Sequence, residues 1–236
     1  MAGSTPTARS KDESGSTHKG ENTGETMGDR IACRHVVCAC SNGVMDALAV
    51  ALQNRDRLEE LDEDGLRWAA VALVLRGSRL ADAELLFIRR AQRAGDPWSG
   101  HVAFPGGRRD AEDATLEATA RRETHEELAL DLSVSGELIG VLDDLRPRSS
   151  VLPSIVVRPY VFVLREDVVL RPNEEVHSTF WIAMSELRDP TRAAEHVFER
   201  EGARLRFPAY RSGDDVVWGM TERIVTQFLA IAAAAR

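Results

Sequence analysis

Residues 106–130, GGRRDAEDATLEATARRETHEELAL, decide how the fold of this chain is predicted. A pair of glycines ends an apolar segment, a polar loop follows, and Ala114–Leu128 contains neither glycine nor proline. This order predicts a strand, a tight turn and a helix. On that helix Glu123, Glu126 and Glu127 stand at i, i+3 and i+4, so we expect three carboxylates to project from one face.

Three clustered carboxylates on a helix suggest a divalent metal ion. Like charges at i,i+4 destabilise an isolated helix by roughly 0.2–0.5 kcal/mol, and a bound cation would turn that repulsion into attraction. Oxygen ligands of this kind suit Mg²⁺ or Mn²⁺. The glycine pair, Gly106 and Gly107, lets a phosphate or a metal approach the backbone closely, because neither residue has a Cβ. The alternative is a solvated acidic face opposite a core stripe, and the carboxylate pattern alone leaves both open.

Composition narrows the classes of partner. With 30 basic and 38 acidic side chains the net charge is −8, which argues against a nucleic-acid binder because such proteins need a cationic surface. The longest apolar runs, Ala69–Leu75 and Phe228–Ala235, are shorter than the roughly 20 residues that cross a bilayer, so we expect no membrane partner. The three cysteines, Cys33, Cys38 and Cys40, cannot build a disulfide framework, and we expect a cytoplasmic protein with reduced thiols.

The N-terminal tail differs from the rest of the chain. Gly, Ser and Thr make up fourteen of residues 1–30, which hold only four hydrophobic side chains. Such a segment cannot bury enough apolar surface to offset its chain entropy, so residues 1–44 are predicted to be a disordered tail. Met27 and Met45 are candidate alternative starts, and we hypothesise that the tail does not belong to the working protein.

Residues 45–236 are predicted to form one α/β domain, a mixed sheet covered by helices. Helices are predicted at Met45–Glu60, Ala114–Leu128, Met184–Leu187 and Thr221–Ala235. Strands are predicted at Leu66–Arg76, Glu84–Arg90, His101–Phe104, Glu137–Leu142, Ile155–Leu164, Thr179–Ile182, Glu195–Arg200, Arg204–Pro208 and Val216–Trp218.

The glycine pair and the segment Arg122-Glu123-Thr124-His125-Glu126-Glu127 together resemble the Nudix box, G-x5-E-x7-R-E-U-x-E-E-x-G-U with U aliphatic. The resemblance implies a Nudix-type α/β/α sandwich around a mixed β-sheet, which agrees with the elements predicted independently. It also implies metal-dependent hydrolysis of a nucleoside diphosphate linked to another moiety.

The chain departs from the box in four places. One residue more separates Gly107 from Arg122, and Asp113 best fills the position of the first box glutamate. Thr124 replaces the aliphatic residue after Arg-Glu, and Ala129 replaces the late glycine. The missing glutamate would weaken either a metal ligand or a helix brace. Because the three helix carboxylates are present, we expect activity to be retained.

Two further segments are similar to the coenzyme A diphosphatase branch of the superfamily: Phe104-Pro105-Gly106-Gly107, and the Leu85-Leu86-x-x-Arg89 stretch upstream. Arg90 stands where that branch often has serine. The resemblance implies hydrolysis of the diphosphate linkage of coenzyme A or a related nucleoside diphosphate derivative. Two alternatives stay open: a Nudix hydrolase acting on ADP-ribose, NADH or another nucleotide, and a non-catalytic nucleotide-binding regulator.

The resemblance also implies roles for individual residues. Glu123 and Glu127 are expected to be the principal ligands of Mg²⁺ or Mn²⁺, and Glu126 a third ligand or a base close to the metal. Arg122 is expected to orient a glutamate or the glycine loop by an ion pair. Glu175, with its neighbour Glu174, is a candidate base outside the box, although both could equally be ordinary loop acids.

The remaining phosphates of a substrate need cationic partners. Arginine suits them because its planar fork binds phosphate oxygens in bidentate fashion. We therefore predict that substrate is bound by the glycine pair and the arginines around it, namely Gly106, Gly107, Arg89, Arg90, Arg108 and Arg109. The expected partner is a small nucleotide, and the chain is expected to be a monomer or a homodimer.

Overall fold

The computed structural model describes residues 43–63, 65–93, 98–147, 154–200 and 203–235. They all fall within one structural unit of the chain, Ala39–Arg236. Apart from residues 43 and 44, the predicted tail lies outside the described residues. Among these residues no helix is both long enough and apolar enough to cross a membrane.

Helices and strands alternate along the chain. The helices are α1 (Gly43–Gln53), α2 (Leu116–Leu128), α3 (Leu132–Ser135), α4 (Met184–Leu187) and α5 (Gly219–Ala234), with a 3₁₀ turn at Pro190–Arg192. The strands are β1 (Arg67–Arg76), β2 (Glu84–Arg90), β3 (Val102–Ala103), β4 (Gly106–Arg108), β5 (Gly136–Val141), β6 (Ile155–Leu164), β7 (Val176–Ala183), β8 (Ala193–Arg200), β9 (Ala203–Ser212) and β10 (Asp215–Trp218).

The main sheet has seven strands and is mixed. Its order is β3-β2-β1-β6-β5, with β7 paired to β2, and β1 runs parallel to β6 while the other pairs are antiparallel. One edge of β1 is shared, since β2 pairs with its C-terminal end and β4 with its N-terminal half. This arrangement brings the glycine pair, which the sequence predicted only as a turn, into the sheet as strand β4.

The two faces of the main sheet carry separate hydrophobic clusters. Along β1, Ala70, Ala72 and Val74 pack in the cluster that includes α2 and α3, whereas Leu73 and Leu75 pack in the cluster that includes α1 and α5. Helices therefore cover both faces, which confirms the predicted α/β sandwich around a mixed sheet. One mixed sheet was expected, but the strands after residue 192 lie outside it and form a second antiparallel sheet in the order β10-β9-β8.

Helix α1 ends at Gln53, seven residues before the predicted end. The residues that follow, 54–63, form a strap without regular structure that is held to the loop after β5 by charged side chains. Arg55 pairs with Asp143, and the Glu60 amide donates to Asp144 Oδ2 at 2.9 Å. Tertiary ion pairs thus replace the last predicted turns of helix.

Candidate functional site

The backbone at Gly106 is shaped for a carboxylate. Its φ is +147°, and a Cβ at this position would lie 2.3 Å from the carbonyl oxygen of Ala70, so only glycine fits. The amide of Gly106 donates to Glu127 Oε2 at 2.9 Å. The glycine therefore lets β4 lie close to β1 while its own N–H points at helix α2.

Gly107 makes room for the second carboxylate. A Cβ there would lie 2.4–2.5 Å from the carboxylate atoms of Glu123, so the carboxylate of Glu123 rests directly against the glycine backbone. Glu123 and Glu127 are one turn apart on α2, and Gly106 and Gly107 are adjacent on β4. Two acids on one turn thus meet two glycines on one strand, whereas the sequence predicted the glycine pair only as a turn.

The surroundings of Glu123 and Glu127 disfavour an unpaired negative charge on either side chain. Glu127 is 2% exposed, and burial raises its pKa to about 8, against the lowering effect of the Gly106 N–H and of Arg90. Negative charges at Glu123 and Glu175 raise it further. Burial also raises the pKa of Glu123, opposed by the charge of Arg122. A cation between these acids would remove much of this penalty.

Glu126 has different surroundings from the other two carboxylates. Its side chain is 53% exposed and pairs with Arg122 Nη1 at 3.0 Å, while the same nitrogen lies 3.1 Å from Glu123 Oε1. The arginine thus bridges the two acids. Within the residues that the structure describes, no three acidic, histidine or cysteine side chains are spaced to hold a metal ion by themselves.

Arg122 is held in place by Asp113. Arg122 donates to both carboxylate oxygens of Asp113, at 3.0 and 2.9 Å, and to the carbonyl of Arg108 at 3.0 Å. Asp113, which is 7% exposed, also accepts from the Thr119 hydroxyl at 2.9 Å and from the Asp110 amide at 3.0 Å. These donors hold the pKa of Asp113 well below its usual range, and the pairing raises that of Arg122. The observed contacts of Asp113 are those of a helix brace.

The other two departures from the box, Thr124 and Ala129, lie within α2 and directly after it. Thr115 caps the helix, accepting from the Ala118 amide at 3.1 Å, so α2 starts two residues later than predicted. The buried hydroxyl of Thr124 donates to the Ala120 carbonyl at 2.7 Å, which satisfies it inside the core. Ala129, where the box has glycine, adopts the left-handed conformation with φ 52°.

The structure separates the four arginines predicted to bind substrate. Arg90 lies close enough to Glu127 to lower its pKa. Arg89 is paired with Asp215 of β10, because successive strand residues point to opposite faces of the sheet. Arg109 donates to the carbonyls of Asp113 and Ala114. Arg108 is exposed beside the glycine pair.

The loop before β7 brings Glu175 toward the carboxylates. The Asn173 amide donates to the carbonyl of Glu127 at 2.9 Å, and the Ala91 amide donates to that of Glu175 at 2.8 Å. The Glu175 side chain pairs with Arg93 at 2.9 Å and its charge acts on Glu127. Glu174 points into solvent, with 91% of its side chain exposed.

Two contacts of Asp113 were not predicted. The hydroxyl of Thr119 and the amide of Asp110 both hold Asp113. Thr119 stands one turn before Arg122 on α2, so the helical period could have indicated it. The Asp110 contact depends on the loop conformation, for which the sequence carries no clear signal.

Comparison with known proteins gives the following similarities. A family model of the NUDIX domain matches residues 65–201. The Nudix hydrolase NudL of Enterobacter sp. strain 638 is 32% identical over 169 residues, 71% of this chain and 85% of that protein. A protein of Schizosaccharomyces pombe is 36% identical over 110 residues, 45% of this chain, which span one third (33%) of its relative. A solved MutT/nudix family protein of Enterococcus faecalis has a TM-score of 0.46 and 15% identity, covering 80% of this chain and 74% of that one.

Proposed function

The chain belongs to the NUDIX domain family, and from that premise we propose that it hydrolyses the diphosphate linkage of coenzyme A or a related nucleoside diphosphate derivative, with a divalent metal ion. Its relationship to the Nudix hydrolases makes it a hydrolase of pyrophosphate bonds. The metal, the substrate and the roles of individual residues are the substance of the proposal.

The donor set fits Mg²⁺ or Mn²⁺. Mg²⁺ is usually held by one or two carboxylates and completes its shell with water and substrate phosphates, so it does not need a cage of three acids. Glu123 and Glu127 would hold it, beside the glycine backbone that leaves room for phosphate oxygens. When bound, such an ion neutralises phosphate charge and lowers the pKa of its water. Glu126 keeps its proposed place as a third ligand or a base.

One observation carries the proposal: Glu127 is buried, accepts only one hydrogen bond among the described residues, and lies beside a second, partly buried acid, Glu123. An isolated ionised carboxylate in that position is costly unless a cation accompanies it. A solvated acidic face, the alternative that the sequence left open, would not bury these two side chains.

The protein's own residues divide the remaining work. Arg122 fixes Glu123 and Glu126 through its ion pairs, and Asp113 fixes Arg122, so the acids are positioned before substrate arrives. Arg90, whose charge acts on Glu127, and Arg108, next to the glycine pair in the sequence, would bind phosphate oxygens. Glu175 is proposed as the base that takes a proton from the attacking water, held by its ion pair with Arg93.

The resemblance to the coenzyme A diphosphatase branch supports the choice of substrate, but its motif residues are partly structural. Leu85 and Leu86 are fully buried on opposite faces of β2, and Phe104 stacks on Phe87 with 4.9 Å between ring centroids. These residues shape the sheet that carries the site. Discrimination between substrates would rest on the charged and aromatic residues around the glycine pair.

A substrate panel tests the proposal. Coenzyme A, ADP-ribose and NADH are incubated with the full chain in Mg²⁺ or Mn²⁺, and products are separated by chromatography. We expect hydrolysis of coenzyme A to a 3′,5′-ADP-type nucleotide and 4′-phosphopantetheine, dependent on added metal, with ¹⁸O from water in one product. Glu127→Gln should lower turnover at least a hundredfold.

Glu174→Gln is the matched control, since it removes an exposed acid near the site, and it should keep the parental rate. If ADP-ribose or NADH were hydrolysed faster than coenzyme A, the proposed substrate would change and the proposed reaction would stand. Nucleotide binding without hydrolysis of any of the three would overturn the enzymatic proposal in favour of a regulator.

A further inference from the structure

Five aromatic side chains meet where the second sheet joins the main sheet. The ring of Trp218 on β10 lies among them, with the centroid of the His196 ring 4.0 Å away and that of the His101 ring 4.8 Å away. The rings of Phe198 and Phe207 follow at 5.6 and 5.7 Å. We call these five residues the aromatic cluster. None of them has a role in the function described so far.

The aromatic cluster belongs to neither hydrophobic cluster of the main sheet. In the β8-β9 hairpin His196 pairs with Phe207. Phe198 pairs with Leu205 two residues along, so all four side chains share one face of the second sheet. Each of the five rings keeps part of its surface exposed, and the neighbouring Leu205 is 48% exposed. Exposed apolar surface of this kind commonly marks a site of interaction.

Strand register places the aromatic cluster on the side of the main sheet that carries the carboxylates. Arg90 of β2 points to that side, because its charge acts on Glu127 and because Ile88, two residues earlier, packs in the cluster that includes α2. The Arg90 amide donates to the carbonyl of His101 at 3.0 Å, which extends the antiparallel pairing of β2 and β3 by one residue pair. Side chains directly opposite each other in such a pair lie on the same face. His101 therefore lies beside Arg90, and its ring contacts Trp218.

Two contacts fix the second sheet beside β3. Arg89 of β2 pairs with Asp215, three residues before Trp218. The hydroxyl of Thr221, three residues after Trp218, donates to the carbonyl of Val102 on β3 at 3.1 Å. The backbone is thus held on both sides of Trp218, so its ring needs little further ordering when a ligand binds.

The chemistry of the aromatic cluster differs from that of the arginines near the carboxylates. Phe198, Phe207 and Trp218 are uncharged, and burial lowers the pKa of His196, which keeps that imidazole neutral at pH 7. A neutral imidazole has one donor and one acceptor nitrogen. Aromatic side chains stack on any nucleobase, because every base has a π-face. In a nucleoside diphosphate derivative the base is a planar, uncharged group, so it fits the aromatic cluster, whereas the phosphates fit the arginines.

We propose that the aromatic cluster binds the nucleobase of the substrate. The exposed part of Trp218 supplies the stacking surface, and His101 and His196 supply polar atoms for the edge of the base. The inference rests on the proposed function and adds to it the residues that distinguish a nucleotide from another diphosphate. Trp218 and Phe207 lie outside residues 65–201, so the family match does not include them.

Equilibrium binding of two probes to the full chain tests the proposal. Adenosine 5′-monophosphate and ribose 5-phosphate, which differ by the base, are titrated by calorimetry in the same buffer with Mg²⁺. We expect the nucleotide to bind at least tenfold more tightly than the sugar phosphate, and to quench the fluorescence of Trp218. Equal affinities for the two probes would overturn the proposal.

Variants place the base at Trp218. Trp218→Leu should reduce the tenfold difference to less than twofold and leave the affinity for ribose 5-phosphate as it was. Trp218→Phe, which keeps a stacking ring, should retain most of the difference in affinity but lose at least half of the fluorescence quenching. Trp181→Phe is the matched control, since Trp181 packs against Arg76, and it should keep both. An unchanged difference in Trp218→Leu would contradict the proposal.

Thermal melting shows whether each variant is folded. If Trp218→Leu is not, His101→Ala takes its place, because His101 contacts Trp218 and lies on the path to Arg90. This variant should lower the affinity for the nucleotide at least threefold and leave that for ribose 5-phosphate as it was. Equal losses for both probes, or no loss for either, would count against a base site.

The outcome is separate from that of the proposed function, since neither probe contains a phosphoanhydride. If adenosine 5′-monophosphate binds as expected while no diphosphate is hydrolysed, the base site stands and the enzymatic proposal falls. If coenzyme A is hydrolysed but the contribution of the base survives in folded Trp218→Leu, the base site is overturned and the enzyme remains.

Discussion

The carboxylate of Glu127 lies where a proton or a metal ion is stable and a bare charge is not. Its ordinary pKa of 4.5 rises to about 8 in the folded protein, mainly because it is buried. The folded chain therefore binds this proton more tightly than the unfolded chain does. Between those two pH values the free energy of unfolding falls as the pH rises.

Glu127→Gln should remove this pH dependence in metal-free protein. At pH 8 the variant should be more stable than the parent by on the order of 1–3 kcal/mol, and near pH 4.5 the two should agree, because the parent is then protonated. Urea unfolding in EDTA at both pH values measures the difference. Glu126→Gln removes the exposed acid one position earlier and should lack the effect. Parallel stability curves for parent and Glu127→Gln would contradict the assignment.

The pKa of Asp113 is shifted in the opposite direction from that of Glu127. Its pKa is lowered, so its stabilising contribution is present at neutral pH and is lost as the pH falls below the usual range of an aspartate. The other acids that pair with Arg122, Glu123 and Glu126, are more exposed than Asp113. Removing one member of a buried pair typically costs about 3–5 kcal/mol. Because the side chain of Arg122 is 26% exposed, we expect a smaller loss.

Asp113→Asn should lower the free energy of unfolding at pH 7 by about 2 kcal/mol, and it should lower turnover because Arg122 no longer positions Glu123. Glu112→Gln is the matched control, since it removes the same charge from the exposed neighbouring residue. Denaturant unfolding at pH 7 and pH 3 measures the stability of both variants, and a hydrolysis assay measures their turnover. A loss for Asp113→Asn that persists unchanged at pH 3 would argue against an ionic brace.

At the scale of elements, helix α2 shows how far the sequence predicts structure. Ala114–Leu128 was predicted from the absence of glycine and proline, and the C-terminal end is confirmed, while the N-terminal end moved to Leu116 because Thr115 caps it. The predicted end of α1 was wrong, because residues 54–60 contact a loop more than eighty positions away instead of forming helical hydrogen bonds. Local pattern predicts helices well where partners are local.

Ala129, just after α2, adopts a backbone conformation that is less favourable for alanine than for glycine. An L-residue in the left-handed region costs about 1–2 kcal/mol, and Ala129 has φ 52°. We expect Ala129→Gly to raise the free energy of unfolding by about 1 kcal/mol, as measured in urea. Ala118→Gly, the same change inside the helix, should lower it by roughly 0.5–1 kcal/mol. If both variants lost stability, the backbone conformation at 129 would be other than described.

At the candidate site, too, local sequence pattern predicts only the contacts between residues close in sequence. The helical period predicted Glu123, Glu126 and Glu127 on one face of α2. Glu123 and Glu127 lie against the glycine pair, which was predicted only as a turn, whereas Glu126 is 53% exposed. That Arg122 bridges Glu123 and Glu126 depends on side-chain reach, which spacing does not give. Arg89 and Arg90 were grouped because they are adjacent in sequence, although adjacent strand residues point apart and only Arg90 lies near Glu127.

At the scale of the molecule, the strap 54–63 is fastened at one buried acid. The side chain of Asp144 is fully buried and is paired to Arg158, while the Asp144 amide donates to the Leu58 carbonyl at 2.9 Å. Leu58 and Leu61 of the strap are each more than 70% exposed, so the strap buries little apolar surface of its own. Ion pairs and backbone hydrogen bonds therefore hold it.

Asp144→Asn should release the strap before the rest of the molecule unfolds. We expect a protease that cleaves after arginine to cut at Arg55 or Arg57 at least fivefold faster than in the parent, with the domain after residue 65 left intact. Mass spectrometry of the fragments identifies the sites. Asp82→Asn, at an exposed ion pair, is the control and should leave the cleavage pattern unchanged. Uniform acceleration at all sites would indicate global destabilisation instead.

Helices α1 and α5, which cover one face of the main sheet, both lie outside residues 65–201 that match the family. Leu48 and Phe228 from those helices are fully buried against the same layer as Leu73 and Phe87. A gene fragment trimmed to residues 65–201 would leave that layer bare, and we expect it to collect in inclusion bodies, whereas a fragment beginning at residue 43 stays in the supernatant. The hydrophobic core of this protein therefore draws on helices that the family match does not include.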